Sequence, residues 1–133
     1  DPNSNSFPTT SQNTIVYVVN PKKQKIYSRS LYDSTAHLTQ LQVDLLSVTS
    51  SLSYQVRDGN TLYIVGGYGM DSATGTMNTK PSLIAIDVPS LIQWVKKPKK
   101  GKSKSAAQCI RQIFDPLLQV TGGALWQVNA HQP

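Results

Sequence analysis

Apolar residues recur at every second position in several short stretches of this chain and at every third or fourth position in one. Period-two alternation fits a strand with one buried face, whereas spacings of three and four fit a helix. Residues 14–19 (Thr-Ile-Val-Tyr-Val-Val) and 25–28 (Lys-Ile-Tyr-Ser) are rich in β-branched and aromatic side chains. Asn20-Pro21-Lys22-Lys23 lies between them, with proline where a type I turn prefers it, so the pair reads as a hairpin. Residues 51–57 set Leu52, Tyr54 and Val56 against Ser51, Ser53 and Gln55, a half-buried strand. Asp58-Gly59 is a hairpin turn signal, and residues 62–65 (Leu-Tyr-Ile-Val) are the returning strand.

Further on, residues 82–88 predict a strand closed by Pro89, with a short helical turn over 90–95. Residues 110–114 predict another, ended by Asp115-Pro116, and 118–128 hold the last. Between 36 and 48 the pattern leaves two readings open: Leu38, Leu41, Leu45 and Val48 suit a short amphipathic helix as well as an irregular connection. Residues 68–80, rich in Gly, Ser, Thr, Asn and Met, read as a loop. Residues 1–13 are polar, carry two prolines and read as a linker or disordered start; 129–133 read as a tail. The expected fold class is all-β, with seven or eight short antiparallel strands, one domain and little helix.

Composition agrees with this. Tyr outnumbers Phe six to two, and all seven acidic residues are Asp, which favours turns and caps over helix interiors. Apolar residues make up 38% of the chain, enough for a thin core. The net charge of +6 comes from one segment: Lys96, Lys97, Lys99, Lys100, Lys102 and Lys104 fall within nine residues, and elsewhere the charges cancel. A single cysteine, Cys109, excludes an internal disulfide and reads as a buried thiol. No apolar run reaches the ~18 residues of a membrane span. Nothing reads as a signal peptide, and a start at Asp1 rather than Met leads to the expectation of a processed or trimmed product.

The run Leu62-Tyr63-Ile64-Val65-Gly66-Gly67 resembles the second strand of a kelch repeat, which ends in a glycine pair. Leu83-Ile84-Ala85-Ile86-Asp87 is similar to the third strand of that repeat, and Trp94 falls in its outer region. A weaker echo is Gly122-Gly123, which precedes Ala124-Leu125-Trp126 rather than following a strand. The resemblance implies a kelch-like β-propeller portion over 14–128: a four-stranded antiparallel meander blade over 51–114, the last two strands of a preceding blade over 14–28, and the start of a following one. Kelch-like proteins of bacteria that are predicted to be exported are similar, which favours a secreted or cell-surface location. A propeller blade buries its faces only against other blades, so about three repeats are the minimum for stability. Three readings stay open: a fragment of a larger propeller, a split propeller completed by a partner chain, or a small autonomous β-domain.

Candidate binding residues follow from the same mapping. The segment after the glycine pair would reach the ligand face, which singles out Tyr68, Asp71, Asn78 and Lys80 as ligand-binding. The lysine run, 96–104, reads as a basic flexible insertion that either is plainly solvated or binds a polyanion. Asp87 and Asp115 read as capping and turn residues. His37 and His131 have no companions at metal-ligand spacing. No catalytic set, metal site or cofactor is expected. The expected function is therefore a non-catalytic interaction or scaffold module with a protein partner. Alternatives are part of a kelch-like enzyme acting on carbohydrate or a small molecule, and a structural subunit of a cell-surface assembly.

Overall fold

The computed structural model describes residues 13–55, 59–97 and 104–121. The second glycine pair, Trp126, His131, Lys99, Lys100 and Lys102 lie outside them. Among the described residues the chain is mostly β, with eight strands and two short α-helices. β1 (Ile15–Asn20) pairs antiparallel with β2 (Lys25–Ser30). Asn20 closes their turn by accepting the Lys23 amide on its side chain at 3.2 Å.

α1 (Gln40–Leu46) occupies the stretch for which the sequence left two readings open. Thr39 caps it, accepting from the Gln42 amide, while Gln42 reaches back to the Thr39 amide. This reciprocal capping box supplies what a seven-residue helix cannot gain from propensity alone.

The main sheet has the order β3 (Leu52–Gln55), β4 (Thr61–Val65), β7 (Pro81–Asp87), β8 (Ile110–Gln119). All three pairings are antiparallel. Period-two alternation sorts its side chains. Leu62, Ile64, Ile84, Ile86 and Ile110 pack with Leu45 of α1 and with Leu91. Leu91 belongs to α2 (Val88–Lys96), which Asp87 caps by accepting from the Ser90 amide. The helical turn read over 90–95 is thus a nine-residue helix that begins at Val88.

The β1–β2 hairpin rests on the same helix. Val16, Val18 and Tyr27 pack on a buried cluster of Ala36, Trp94, Val95 and Ala106. Trp94 is fully buried and its indole N–H donates to Thr35 Oγ1 at 3.0 Å. Arg29 Nε donates to the Val95 carbonyl at 3.1 Å, placing a cation against the last turn of α2, where unpaired carbonyls favour it.

Three expectations require correction. Residues 68–80 are not a plain loop: β5 (Tyr68–Asp71) and β6 (Thr76–Thr79) form a hairpin. Their turn is set by Asp71, whose backbone carbonyl accepts the Gly75 amide at 2.8 Å and whose side chain accepts the Ala73 amide at 3.1 Å. Asp115-Pro116 does not end the fourth strand of the sheet. Pro81 pairs with Gln119 and Ser82 with Phe114, so the residues between loop out as a bulge and the ladder resumes. Pro116 sits in that bulge, where no ladder N–H is required. Finally, the basic segment does not begin as a loop, because Lys96 is the last residue of α2.

Gly66 and Gly67 join β4 to the β5–β6 hairpin and have φ of +65° and +95°. A Cβ on Gly66 would lie 2.1 Å from the Val120 carbonyl oxygen, and one on Gly67 would lie 2.7 Å from Val48 Cγ2. The pair is demanded both by backbone angle and by the close approach of the chain after β8, whose Val120 carbonyl accepts the Gly67 amide at 2.8 Å.

Candidate functional site

The face of the main sheet turned away from the helices carries Thr61, Tyr63 and Val65 on β4, Leu83, Ala85 and Asp87 on β7, and Arg111 and Ile113 on β8. Register places Tyr63, Ala85 and Arg111 in one row across three strands. A methyl group between a phenol and a guanidinium leaves a trough. The next row ends the sheet, with Thr61 opposite Asp87. Here β4 begins, β7 gives way to α2, and a 3-10 turn (Ala107–Cys109) leads into β8. These elements enclose a cleft of about 670 Å³, bordered also by Ser90, Lys104 and Gln108. Its size is that of small-molecule sites, about 300–1,000 Å³.

The charges of the cleft come from three elements. Asp87 accepts from the Ser90 hydroxyl at 2.8 Å and the Ser90 amide at 3.3 Å, and these bonds hold its carboxyl below the usual carboxylate range. Lys104 stands 3.8 Å from Asp87 in an exposed pair. The side chain of Arg111 makes no hydrogen bond or ion pair among the described residues. Cys109 also borders the cleft, but burial pushes its thiol up and its Sγ donates to the Ser105 carbonyl at 3.2 Å. It is a packed thiol rather than a nucleophile. The arrangement can hold an anion and accept a hydroxyl proton in a hydrogen bond.

Asp71, Asn78 and Lys80 come together at the opposite end of the sheet, on and just after the β5–β6 hairpin, whereas Tyr68 lies on the other face of β5. Their chemistry is largely turned inward. Lys80 is 4% exposed, and its Nζ donates to the Met70 carbonyl at 2.6 Å. Burial lowers its pKa, while the nearby charges of Asp44 and Asp71 raise it. Asn78 Nδ2 donates to Asp71 Oδ2 at 3.3 Å; its Oδ1 is buried without a partner. Tyr68 is exposed. Sequence reasoning missed Asp44, which is buried and accepts the Ser72 amide and hydroxyl at 2.8 Å each and Gln40 Nε2 at 3.0 Å. An aspartate inside an otherwise apolar helical stripe (Val43, Asp44, Leu45) was the available signal.

Of the lysine run, Lys96 Nζ lies 5.3 Å over the Tyr27 ring, Lys97 follows the last turn of α2, and Lys104 pairs with Asp87. His37 lies in the connection before α1 with φ of +57°. Among the described residues no cluster of His, Cys or acidic groups could hold a metal ion. Nor is any helix among them long and apolar enough to cross a membrane.

Among the described residues, apolar side chains are exposed on two faces. The outer face of the β1–β2 hairpin exposes Tyr17 by 59%, Val19 by 60% and Ile26 by 70%, with Val19 directly opposite Ile26. On the main sheet Ile113 is 60% exposed. Between hairpin and sheet lies an apolar cleft of about 380 Å³, walled by Val16, Leu31, Leu62, Ile64, Leu91 and Ile110.

Comparisons with protein-family models, with curated proteins and with solved structures give no match.

Proposed function

We propose that this chain is a non-catalytic interaction or scaffold module built on a kelch-like β-propeller. In this reading β3, β4, β7 and β8 form one blade, and β1 and β2 are outer strands of the blade before it. The observation that carries it is the four-stranded antiparallel meander whose second strand ends at Gly66-Gly67. The uncovered apolar faces support it further. A sheet with apolar groups on both sides needs a layer against each, and neighbouring blades supply those layers in a propeller. The cleft between hairpin and sheet suits the inner strands that the preceding blade would contribute. The partner is accordingly a chain, or further chain, bearing more blades.

The mass of the native particle tests this, by light scattering after size exclusion with denatured mass spectrometry alongside. A particle well above 14.6 kDa that contains a second kind of chain supports a completed propeller. A compact 14.6 kDa monomer that melts cooperatively overturns it in favour of an autonomous β-domain. Val19→Lys with Ile26→Lys should weaken association, because two charges would have to be desolvated opposite each other in the interface.

A further inference from the structure

We infer that the trough between Tyr63 and Arg111 binds a monoanionic carboxylate that also carries hydroxyl groups. The inference does not rest on the propeller reading, and it requires that the cleft end of this sheet face stay open to solvent, whatever layer covers the face around Ile113.

Four observations carry it. The first is room. Ala85 is the smallest side chain that still forms a strand wall, and it lies between Tyr63 and Arg111 in register, so the row is open at its centre. The second is an uncommitted fork. Arg111 makes no hydrogen bond or ion pair among the described residues, yet it borders a cleft of about 670 Å³. Its planar guanidinium matches a carboxylate with two parallel donors, which a lysine cannot do. The third is charge. Lys104 and Arg111 face one carboxylate, Asp87, which leaves the cleft with a single net positive charge among its described groups. With Lys104 paired to Asp87, Arg111 is the cation among the described lining groups that has no counter-charge, and its fork donates to one carboxylate. The fourth is the acceptor. Asp87 receives the Ser90 hydroxyl and amide but still has lone pairs toward the cleft, where a ligand hydroxyl can donate. Tyr63 offers an amphipathic wall for the body of such a molecule.

The source of the group is either a free hydroxy acid or a uronate residue of an acidic saccharide, and the test separates them. The full chain, labelled with 15N, is titrated with D-glucuronate and with a glucuronate-containing tetrasaccharide. Sodium acetate, D-glucose and inorganic phosphate are titrated in parallel. Saturable amide shifts at Ala85, Asp87 and Arg111 with glucuronate are expected, with acetate weaker and glucose inert. Tighter binding of the tetrasaccharide assigns the polymer as the source; equal or weaker binding assigns the free acid. Arg111→Gln should weaken glucuronate at least about tenfold, the worth of one charge-assisted hydrogen bond. Ala85→Leu, which fills the trough, should abolish binding. Asp87→Asn keeps a helix cap and should narrow the margin between glucuronate and acetate. The inference is overturned if glucuronate gives no saturable shift, if phosphate or acetate binds as well as glucuronate, or if Arg111→Gln and Ala85→Leu, with native spectra, bind unchanged.

Discussion

The two ends of the main sheet hold similar numbers of polar side chains and use them in opposite ways. At the glycine-pair end, Asp44, Ser72, Asp71, Asn78 and Lys80 bond to one another and to backbone, with Asp44 and Lys80 buried. At the other end, Arg111 and Lys104 border an open cleft: Lys104 pairs with Asp87 at the surface, and the Arg111 side chain makes no hydrogen bond or ion pair among the described residues. The difference is topological. After Gly66-Gly67 the chain doubles back as the β5–β6 hairpin and lies against α1, so polar groups there become an inter-element bond set. At the cleft end the strands simply start and stop, and nothing described folds over them. Groups bonded across elements specify a structure; exposed and unbonded ones are free to specify a ligand.

The sharpest way to break that contrast is at the hinge of the first end. Gly66→Ala puts a Cβ 2.1 Å from the Val120 carbonyl oxygen and 2.8 Å from that of Leu118, at a φ of +65°. Both neighbours are backbone and cannot step aside. Backbone strain and overpacking together should cost about 4 kcal/mol in urea unfolding. Gly75→Ala is the internal control. Its φ is +72°, but a Cβ there meets nothing within 4 Å, so only the left-handed conformation is penalised, by about 1 kcal/mol. Equal losses at the two glycines would mean that the close approach at Gly66 contributes nothing.

Next in size is Asp44→Asn. The two oxygens of Asp44 accept from the Ser72 amide, the Ser72 hydroxyl and Gln40. An amide offers one oxygen, so at least one donor that now meets a buried carboxylate oxygen faces an NH2 group, at a cost of about 2 kcal/mol. Exchange protection of the Ser72 amide should be lost while that of Arg111 is kept. The pH dependence has a definite sign. Burial places folded Lys80 below its ordinary 10.5, so between those values the unfolded chain binds the extra proton and stability rises with pH. Removing the Asp44 charge lowers the folded value further and widens that window. The deficit of Asp44→Asn should therefore shrink as pH is raised toward 10.5. A deficit that is flat in pH would show that Asp44 and Lys80 are not coupled.

How far these features could be read beforehand differs between the ends too. The four strands of the main sheet were legible because Ser51 to Gln55 alternates as a one-sided environment requires, and Leu83-Ile84-Ala85-Ile86 is a short apolar run closed by Pro89. The glycine pair was legible for the same reason: few other demands produce two adjacent glycines after a strand. The β5–β6 hairpin was not, since Tyr68, Gly69, Met70 and Asp71 have no alternation, and their pairing depends on the turn at Asp71 and on docking against α1. Residues 115–118 misled because proline is a strand breaker by local rule, while a bulge tolerates it. The Tyr63–Ala85–Arg111 row was illegible in principle. Its members are more than twenty residues apart, and only strand register brings them together.

A smaller effect is expected where the cleft end touches the fold. Asp87→Ala removes the cap of α2 and should cost about 1 kcal/mol at neutral pH. Hydrogen bonds from Ser90 hold the folded carboxyl below 3.8, so the cap's contribution is complete above 3.8 and is lost as pH falls through the lower folded value. Thermal melts of wild type and variant should accordingly differ most at neutral pH and converge once pH is well under 3.8. A gap that persists in acid would assign the loss to packing rather than to the ionised cap.

The smallest effect on stability belongs to Arg111→Gln, and that smallness is what the comparison requires. Arg111 lies on an edge strand, its side chain is exposed, and it bonds to no described group. Glutamine keeps most of its length and its ability to be solvated. Surface replacements away from caps, cores and networks stay within about 0.5 kcal/mol. Urea midpoints should therefore be nearly superimposable, in contrast to the loss at Asp44. A cost above about 1.5 kcal/mol would mean that the guanidinium holds part of the fold together. The cleft end would then be a second internal bond set, and an arginine already committed to the protein could not be the group that receives a carboxylate.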